Sequence, residues 1–379
     1  LHASAIRCLK GYPCVSVGAD DFSLVRSLVL KSSLFKGRVL ARAAQVVALS
    51  AGLCALPALA AEEVTLYTTR EPGLIQPLLN SFTEQSGIKV NTVFVKDGLL
   101  ERVKAEGERS PADVLMTVDM GALLDLVQAG VTQPVKSATV NAAIPGHLRG
   151  ADNQWFALSM RARVLYADKN QKFPANMRYE DLADPRWKGK VCIRSGQHPY
   201  NTALVAAMLT HHGEAKTEAW LTGLKNNLAR KAAGGDRVVE RDILGGICDI
   251  GVANSYYVGR MKTAEPGSDN RKWGDAIQVI RPTFANGKGT HVNVSGAAVA
   301  KNAPNKAQAV KLLEFLVSPK AQQMYAQSNY EYPVRKGVAI DPVIAQNIGE
   351  IKPDTTSLVE IARNRQKASL LIDKVGFDR

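Results

Sequence analysis

The sequence predicts an α/β fold of two lobes whose segments interleave. Three observations carry that expectation. Strand and helix patterns alternate from Glu63 to Gly130, the order that builds mostly parallel sheets with helices on their faces. Short apolar runs bounded by turn residues, such as Ala112–Val118, have the composition of strands buried on both faces. The chain also has 379 residues without a long linker or an internal repeat, more than one unit ordinarily holds and with no place to cut it cleanly in two. At 46% hydrophobic and 22% charged residues the composition is that of a globular protein, which excludes a disordered or collagen-like chain. Only one segment, near the start, is apolar enough to concern a membrane, so a multi-span transporter is excluded.

The elements follow in order. Glu63–Thr69 alternates as a strand. Gly73–Gly87 carries Leu74, Ile75, Leu78, Leu79 and Phe82 at helical spacing. Ile88–Val95 is a strand, 98–108 a helix, Ala112–Val118 a buried strand, and Gly121–Ala129 a helix stopped by Gly130. Further on, 154–158, 163–167, 191–194, 248–253 and 292–300 pattern as strands. Helices are expected over 201–212, 215–227, 236–244, 306–316 and 356–375.

The first 60 residues stand apart. Residues 1–31 show no sustained period and are set aside from the fold. Lys31, Lys36, Arg38 and Arg42 then precede the apolar run Ala43–Leu56, and Ala58-Leu59-Ala60 supplies small residues for cleavage. This is the pattern of a secretory signal, with cleavage expected after Ala60 or Ala61 and the periplasm as destination. Cys54 lacks the small residue that lipidation wants before it. Residues 1–60 carry seven basic and two acidic side chains, which leaves 41 against 33, a net charge of +8, for the rest. That balance is well mixed, with no basic block of nucleic-acid type. Cys8, Cys14 and Cys54 leave with the precursor, while Cys192 and Cys248 remain and are expected to pair in an oxidising compartment.

Enzyme signatures are missing. There is no P-loop, no dinucleotide fingerprint, no nucleophile elbow and no histidine pair at zinc spacing, so no catalytic function is expected. His211-His212 is expected to cap a helix end in solvent. The unusual feature is tyrosine at strand ends: Tyr256 and Tyr257 follow the strand 248–253, and Tyr166 follows Arg163–Leu165. Ligands collect at the carboxyl ends of strands in open α/β sheets. Spacing alone favours one of the two adjacent tyrosines in the core and the other in water. Phenolate is a hard anionic donor suited to a hard trivalent cation, and ionising a phenol at neutral pH needs such a Lewis acid.

The chain resembles the periplasmic ferric-ion-binding proteins that feed ABC transporters, in the branch where tyrosines hold iron with carbonate. The resemblance spans 62–379 and rests on LYTTREPGLIQPLL (66–79), KDGLLERVKAEGERSPADVLMTVD (96–119), RARVLYADK (161–169), WKGKVCIRSG (187–196), NSYY (254–257), THVNVSGAAVAK (290–301) and NYEYPV (329–334). It implies a type II periplasmic binding protein with a cleft between two mostly parallel sheets. Lobe 1 would hold 62–159 and 285–330, and lobe 2 would hold 160–284 and 331–379. It implies Tyr166, Tyr256 and Tyr257 as Fe³⁺ ligands and Arg70 beside a synergistic carbonate or bicarbonate, with Glu71 and Arg161 nearby. Where some branches place a histidine ligand after the arginine, this chain has Glu71-Pro72. Where others place a glutamate, it has Val118 beside Asp119. Both departures favour the three-tyrosine site. The resemblance also implies a monomer that docks on an ABC permease and its ATPase and binds no nucleic acid. The alternative is a protein of the same fold that holds a small organic anion, a phosphate ester or thiamine through Arg70, Arg161, Arg194 and the tyrosines.

Overall fold

The structure is a computed structural model that describes residues 62–379. The expected secretory signal and Cys8, Cys14 and Cys54 lie outside the described residues. Among the described residues the strands are β1 (Glu63–Thr68), β2 (Lys89–Phe94), β3 (Val114–Thr117), β4 (Thr132–Gln133), β5 (Phe156–Asp168), β6 (Val191–Cys192), β7 (Ile250–Asn254), β8 (Ile277–Ile280), β9 (Val292–Ala300) and β10 (Tyr332–Pro333). The helices are α1 (Pro72–Ser86), α2 (Leu99–Glu106), α3 (Met120–Gln128), α4 (Ala138–Ala143), α5 (Pro199–Asn226), α6 (Asp236–Leu244), α7 (Tyr256–Lys262), α8 (Asp269–Ala276), α9 (Lys306–Leu316), α10 (Pro319–Asn329), α11 (Pro342–Asn347), α12 (Leu358–Arg363) and α13 (Arg365–Val375). No helix among the described residues is long and apolar enough to cross a membrane.

The strands form one curled path in the order β2-β1-β3-β9-β5-β7-β6, with β4 on β9 and with β8 and β10 on β5. Parallel pairing joins β1 to β2 and β3, and β6 to β7. The long strands β5 and β9 run antiparallel to their neighbours through the middle, so the sheet is mixed rather than mostly parallel. The pattern around 154–167 predicted two strands, and the structure has one. Ser159 and Arg161 break the apolar run, yet both are buried because they find polar partners in the fold. β5 pairs with β9 over 156–162 and with β7 over 163–167, and its register on β9 shifts between Ala157 and Ser159. The helix expected over 306–316 ends there. Pro319 opens the next one, α10, since proline is tolerated in a first helical turn where no amide bond is lost.

Local chemistry sets the other boundaries. Pro72 opens α1, and Gly87 closes it at φ 73° with its N–H on the Thr83 carbonyl at 2.8 Å. Asp119 caps α3 by accepting the Ala122 N–H at 3.1 Å. Gly213, at φ 75°, breaks α5 between its two expected halves. Gly251 is needed for another reason: a Cβ there would stand 2.5 Å from the Cys192 carbonyl oxygen, so β6 and β7 could not pair as they do. His211 and His212 are not solvated caps. Each meets a carboxylate, Asp354 at 2.7 Å and Glu180 at 2.5 Å. The core falls into two clusters, one around β1, β3, β9 and their helices, the other around β6, α5 and α13.

Cys192 and Cys248 form a disulfide across a separation of 56 residues. In the loop-entropy account such a closure contributes ~4 kcal/mol. Thiol titration of the unfolded, unreduced mature chain is expected to find none, and two after reduction. Two free thiols before reduction would refute the pairing.

Candidate functional site

A cavity of about 290 Å³ opens where the carboxyl ends of β1, β3 and β7 meet the start of α5. Its walls include Arg70, Glu71, Val118, Arg161, Tyr200, Arg237, Tyr256, Tyr257, Arg260 and Glu331. This is the position that open α/β sheets reserve for ligands. Three tyrosines share it, and only two of them are the expected ones.

Tyr256 and Tyr257 are the first two residues of α7, and their rings lie 4.3 Å apart at 39°. One does not pack away in the core while the other faces water. The helical turn after β7 lets both line the same cavity. Burial raises both phenols above their ordinary pKa, with Tyr200 and Tyr257 adding to the effect at Tyr256. The Arg260 guanidinium stands 5.6 Å from the Tyr256 ring centre.

Tyr200 is the third. It sits in the first turn of α5, after Pro199. His198 accepts the Tyr200 N–H on Nδ1 at 3.2 Å. Burial and then Arg194 push that imidazole down to about 4, so it is a neutral acceptor at neutral pH. The guanidinium carbons of Arg161, Arg194 and Arg163 lie 5.3, 5.3 and 5.8 Å from the Tyr200 ring centre. A negative oxygen on this ring would stand among cations.

One buried ion pair fixes both tyrosine-bearing segments. Arg163 meets Asp236 at 2.6 Å, and its guanidinium donates to Asn201 Oδ1 at 2.6 Å and Asn254 Oδ1 at 3.1 Å. Asn201 follows Tyr200, and Asn254 precedes the tyrosine pair by two. Asp236 also accepts the Asn254 N–H at 2.9 Å and pairs with Arg194 at 3.3 Å. Ser255 accepts the Ala162 N–H at 3.1 Å. The NSYY motif is therefore two anchoring residues followed by two residues that line the cavity.

Tyr166 requires a correction. It is fully buried, and its hydroxyl is already used: it donates to the Asn254 carbonyl at 2.8 Å and accepts the Val258 N–H at 3.1 Å. It holds the first turn of α7 from beneath and is not on the cavity wall. The reason is its place inside β5, flanked by β7 and β8, and not at a strand end. The rule that nominated strand-end tyrosines selects Tyr200 when it is applied to β6 and the turn that follows it.

Arg70 is on the wall but does not offer a free fork. Its two terminal nitrogens reach Glu331 at 3.0 and 3.1 Å, and Nη2 also donates to Ser295. Arg161 is buried and among the described residues meets no carboxylate, donating to Ser295 Oγ at 3.2 Å and to the Val118 carbonyl. The Nε atoms of both arginines are buried without a partner. Glu71 is exposed at the cavity, and Asp119 is spent on the α3 cap and on Asn293. Among the described residues no group of three or more His, Cys, Asp or Glu side chains is placed to hold a metal. The three phenols are the group of hard donors gathered on this cavity, beside the single carboxylates of Glu71 and Glu331.

Residues 109–353 match the model of the bacterial extracellular solute-binding proteins. The chain belongs to that family. A solved Bordetella ferric binding protein is 69% identical, with 84% of this chain and all of that one covered at a TM-score of 0.80. A Trichodesmium protein solved in complex with iron and citrate ligands is 42% identical, covering 83% of this chain and 99% of that one at a TM-score of 0.79. Iron uptake protein A1 of Synechocystis is 42% identical over 318 residues, 83% of this chain and 88% of its own length. The solute-binding fold here is the type II periplasmic one of these neighbours.

Proposed function

We propose that this solute-binding protein carries Fe³⁺ in the periplasm to an ABC importer, held by the phenolates of Tyr200, Tyr256 and Tyr257 together with an external anion. The observation that carries this is the convergence of three phenols on one cavity whose buried Arg161 meets no carboxylate. Three phenolates neutralise Fe³⁺ and leave the cationic wall to be satisfied by an anion. The proteins it resembles are named for ferric iron, which supports the metal over an organic anion held by hydrogen bonds alone. It is a carrier without catalytic function, and its partners are the permease and ATPase of the importer.

The lobes are proposed as 62–159 with 285–330 and 160–284 with 331–379, meeting at the cavity. Tyr200, Tyr256 and Tyr257 come from the second, Arg70 and Val118 from the first, so closure would complete the site by a hinge movement. Arg161, rather than Arg70, is the first partner of the anion. Carbonate is the expected anion. Arg237 and Arg260 on the same wall favour carboxylates of a chelator as a second choice.

The test is a ferric titration of the purified mature protein with bicarbonate or citrate present. A visible phenolate-to-iron absorption, one iron per chain by metal analysis and dependence on an added anion are expected. A colourless protein that binds an organic anion without metal would overturn the proposal.

A further inference from the structure

Glu331 is a carboxylate placed inside an anion site. It is 4% exposed, lies between α10 and β10, and shares the cavity wall with Arg70 and Arg161. Oε1 accepts from Arg70 Nη1 at 3.0 Å and Nη2 at 3.1 Å, Oε2 accepts from Nη2 at 3.1 Å, and the Ser159 hydroxyl donates to it as well. The Ser295 hydroxyl links Arg70 to Arg161. Burial pushes the Glu331 carboxyl up, and the guanidiniums of Arg70 and Arg161 outweigh it, leaving the group below the ordinary carboxylate range. It is ionised at neutral pH.

The fork that would clasp a planar dianion therefore already holds the chain's own anion. A guanidinium offers five donors in a fixed plane. Here both terminal nitrogens are engaged by Glu331 and Nη2 also by Ser295, which leaves the second Nη1 hydrogen and the buried Nε but no free pair of terminal donors. A fixed negative charge on the wall also repels a second anion, and in a buried setting that repulsion is weakly screened. Holding Arg70 by Glu331 thus reduces both its geometry and its charge as seen from the cavity. In a carrier that must hand its cargo on, a weaker hold on an anion that completes the site would ease release of the metal.

We infer that Glu331 determines the strength and selectivity of anion binding, acting as an internal counter-charge that weakens the hold on the external anion and so speeds ferric release. This rests on the ferric proposal above. Glu331→Gln keeps the shape and an acceptor for Arg70 but removes the charge. With iron in fixed supply, the bicarbonate concentration that half-develops the visible absorption is expected to fall about tenfold, and release to a competing chelator is expected to slow by a similar factor. Glu331→Asp retains the charge and is expected to stay near wild type in both. Equal shifts in the Gln and Asp variants, or an unchanged half-saturation in Gln, would overturn the inference. Should Glu331→Gln fail to fold, the double variant Arg70→Met/Glu331→Gln decides. The pair carries no net charge, so half-saturation within about threefold of wild type is expected. A tenfold weaker response would show that Arg70 reaches the anion despite Glu331, and overturns the inference. Absence of any iron absorption in the wild type would instead remove the ferric proposal, and this inference with it.

Discussion

Tyr200→Phe is expected to lose the visible iron absorption or shift it strongly, and to weaken ferric binding by more than ~100-fold, the upper range seen for loss of a group that merely supports a metal ligand. Tyr166→Phe is expected to do the opposite. Its hydroxyl spans the Asn254 carbonyl and the Val258 amide, and phenylalanine would leave both buried without a partner, at ~1–3 kcal/mol. The iron colour should survive while the thermal midpoint drops by a few degrees, about the conversion for a chain of this size. Tyr256→Phe and Tyr257→Phe belong with Tyr200→Phe. Absorption spectra of the four variants with equal iron, beside their melting curves, separate ligands from supports. If Tyr166→Phe bleaches the protein at unchanged stability and Tyr200→Phe does not, the assignment made from the cavity is reversed.

The contrast between these two tyrosines marks how far sequence reasoning reached. Tyr256 and Tyr257 were legible through the NSYY motif that carries the resemblance; spacing alone sends one of the pair into the core, because it does not show that the chain turns into α7 directly after β7. Tyr200 was legible in principle by the strand-end rule. His198-Pro199-Tyr200 follows β6, but that strand is two residues long in the fold and the helix was expected to begin one residue later, at Asn201. Tyr166 was misplaced because a tyrosine in the run Arg163–Ala167 looks the same whether the strand stops there or continues to Asp168. The alternation of strand and helix from Glu63 to Gly130 is a local property and came through. The pairing of Arg70 with Glu331 links residues 261 apart, and the placement of Asp236 under both tyrosine segments links α6 to β5, α5 and β7. Such partnerships depend on which strand crosses the middle of the sheet. Here that strand is β5, whose polar residues 159 and 161 concealed its continuity.

Ferric affinity is expected to fall steeply as pH falls, by about three decades per pH unit, because each of three phenols surrenders a proton to make a bond to the metal. The sign follows from the free protein. Burial holds the Tyr256 hydroxyl well above its ordinary pKa and raises that of Tyr257, so both are protonated across the neutral range. Metal and protons therefore compete for the same oxygens, and lowering the pH favours the protons. The other buried phenols do not enter the count. Burial raises Tyr166 and Tyr179 too, but their hydroxyls are committed to backbone groups. The measurement is proton release at constant pH when the apo protein takes iron from a chelate of known proton balance. About three protons per iron are expected when a fully ionised carboxylate serves as the anion, and about four when bicarbonate must become carbonate in the site. Tyr257→Phe should lower either figure by about one, as a ligand would and a bystander would not. Fewer than two protons per iron would mean that phenolates do not hold the metal, whatever the colour of the complex.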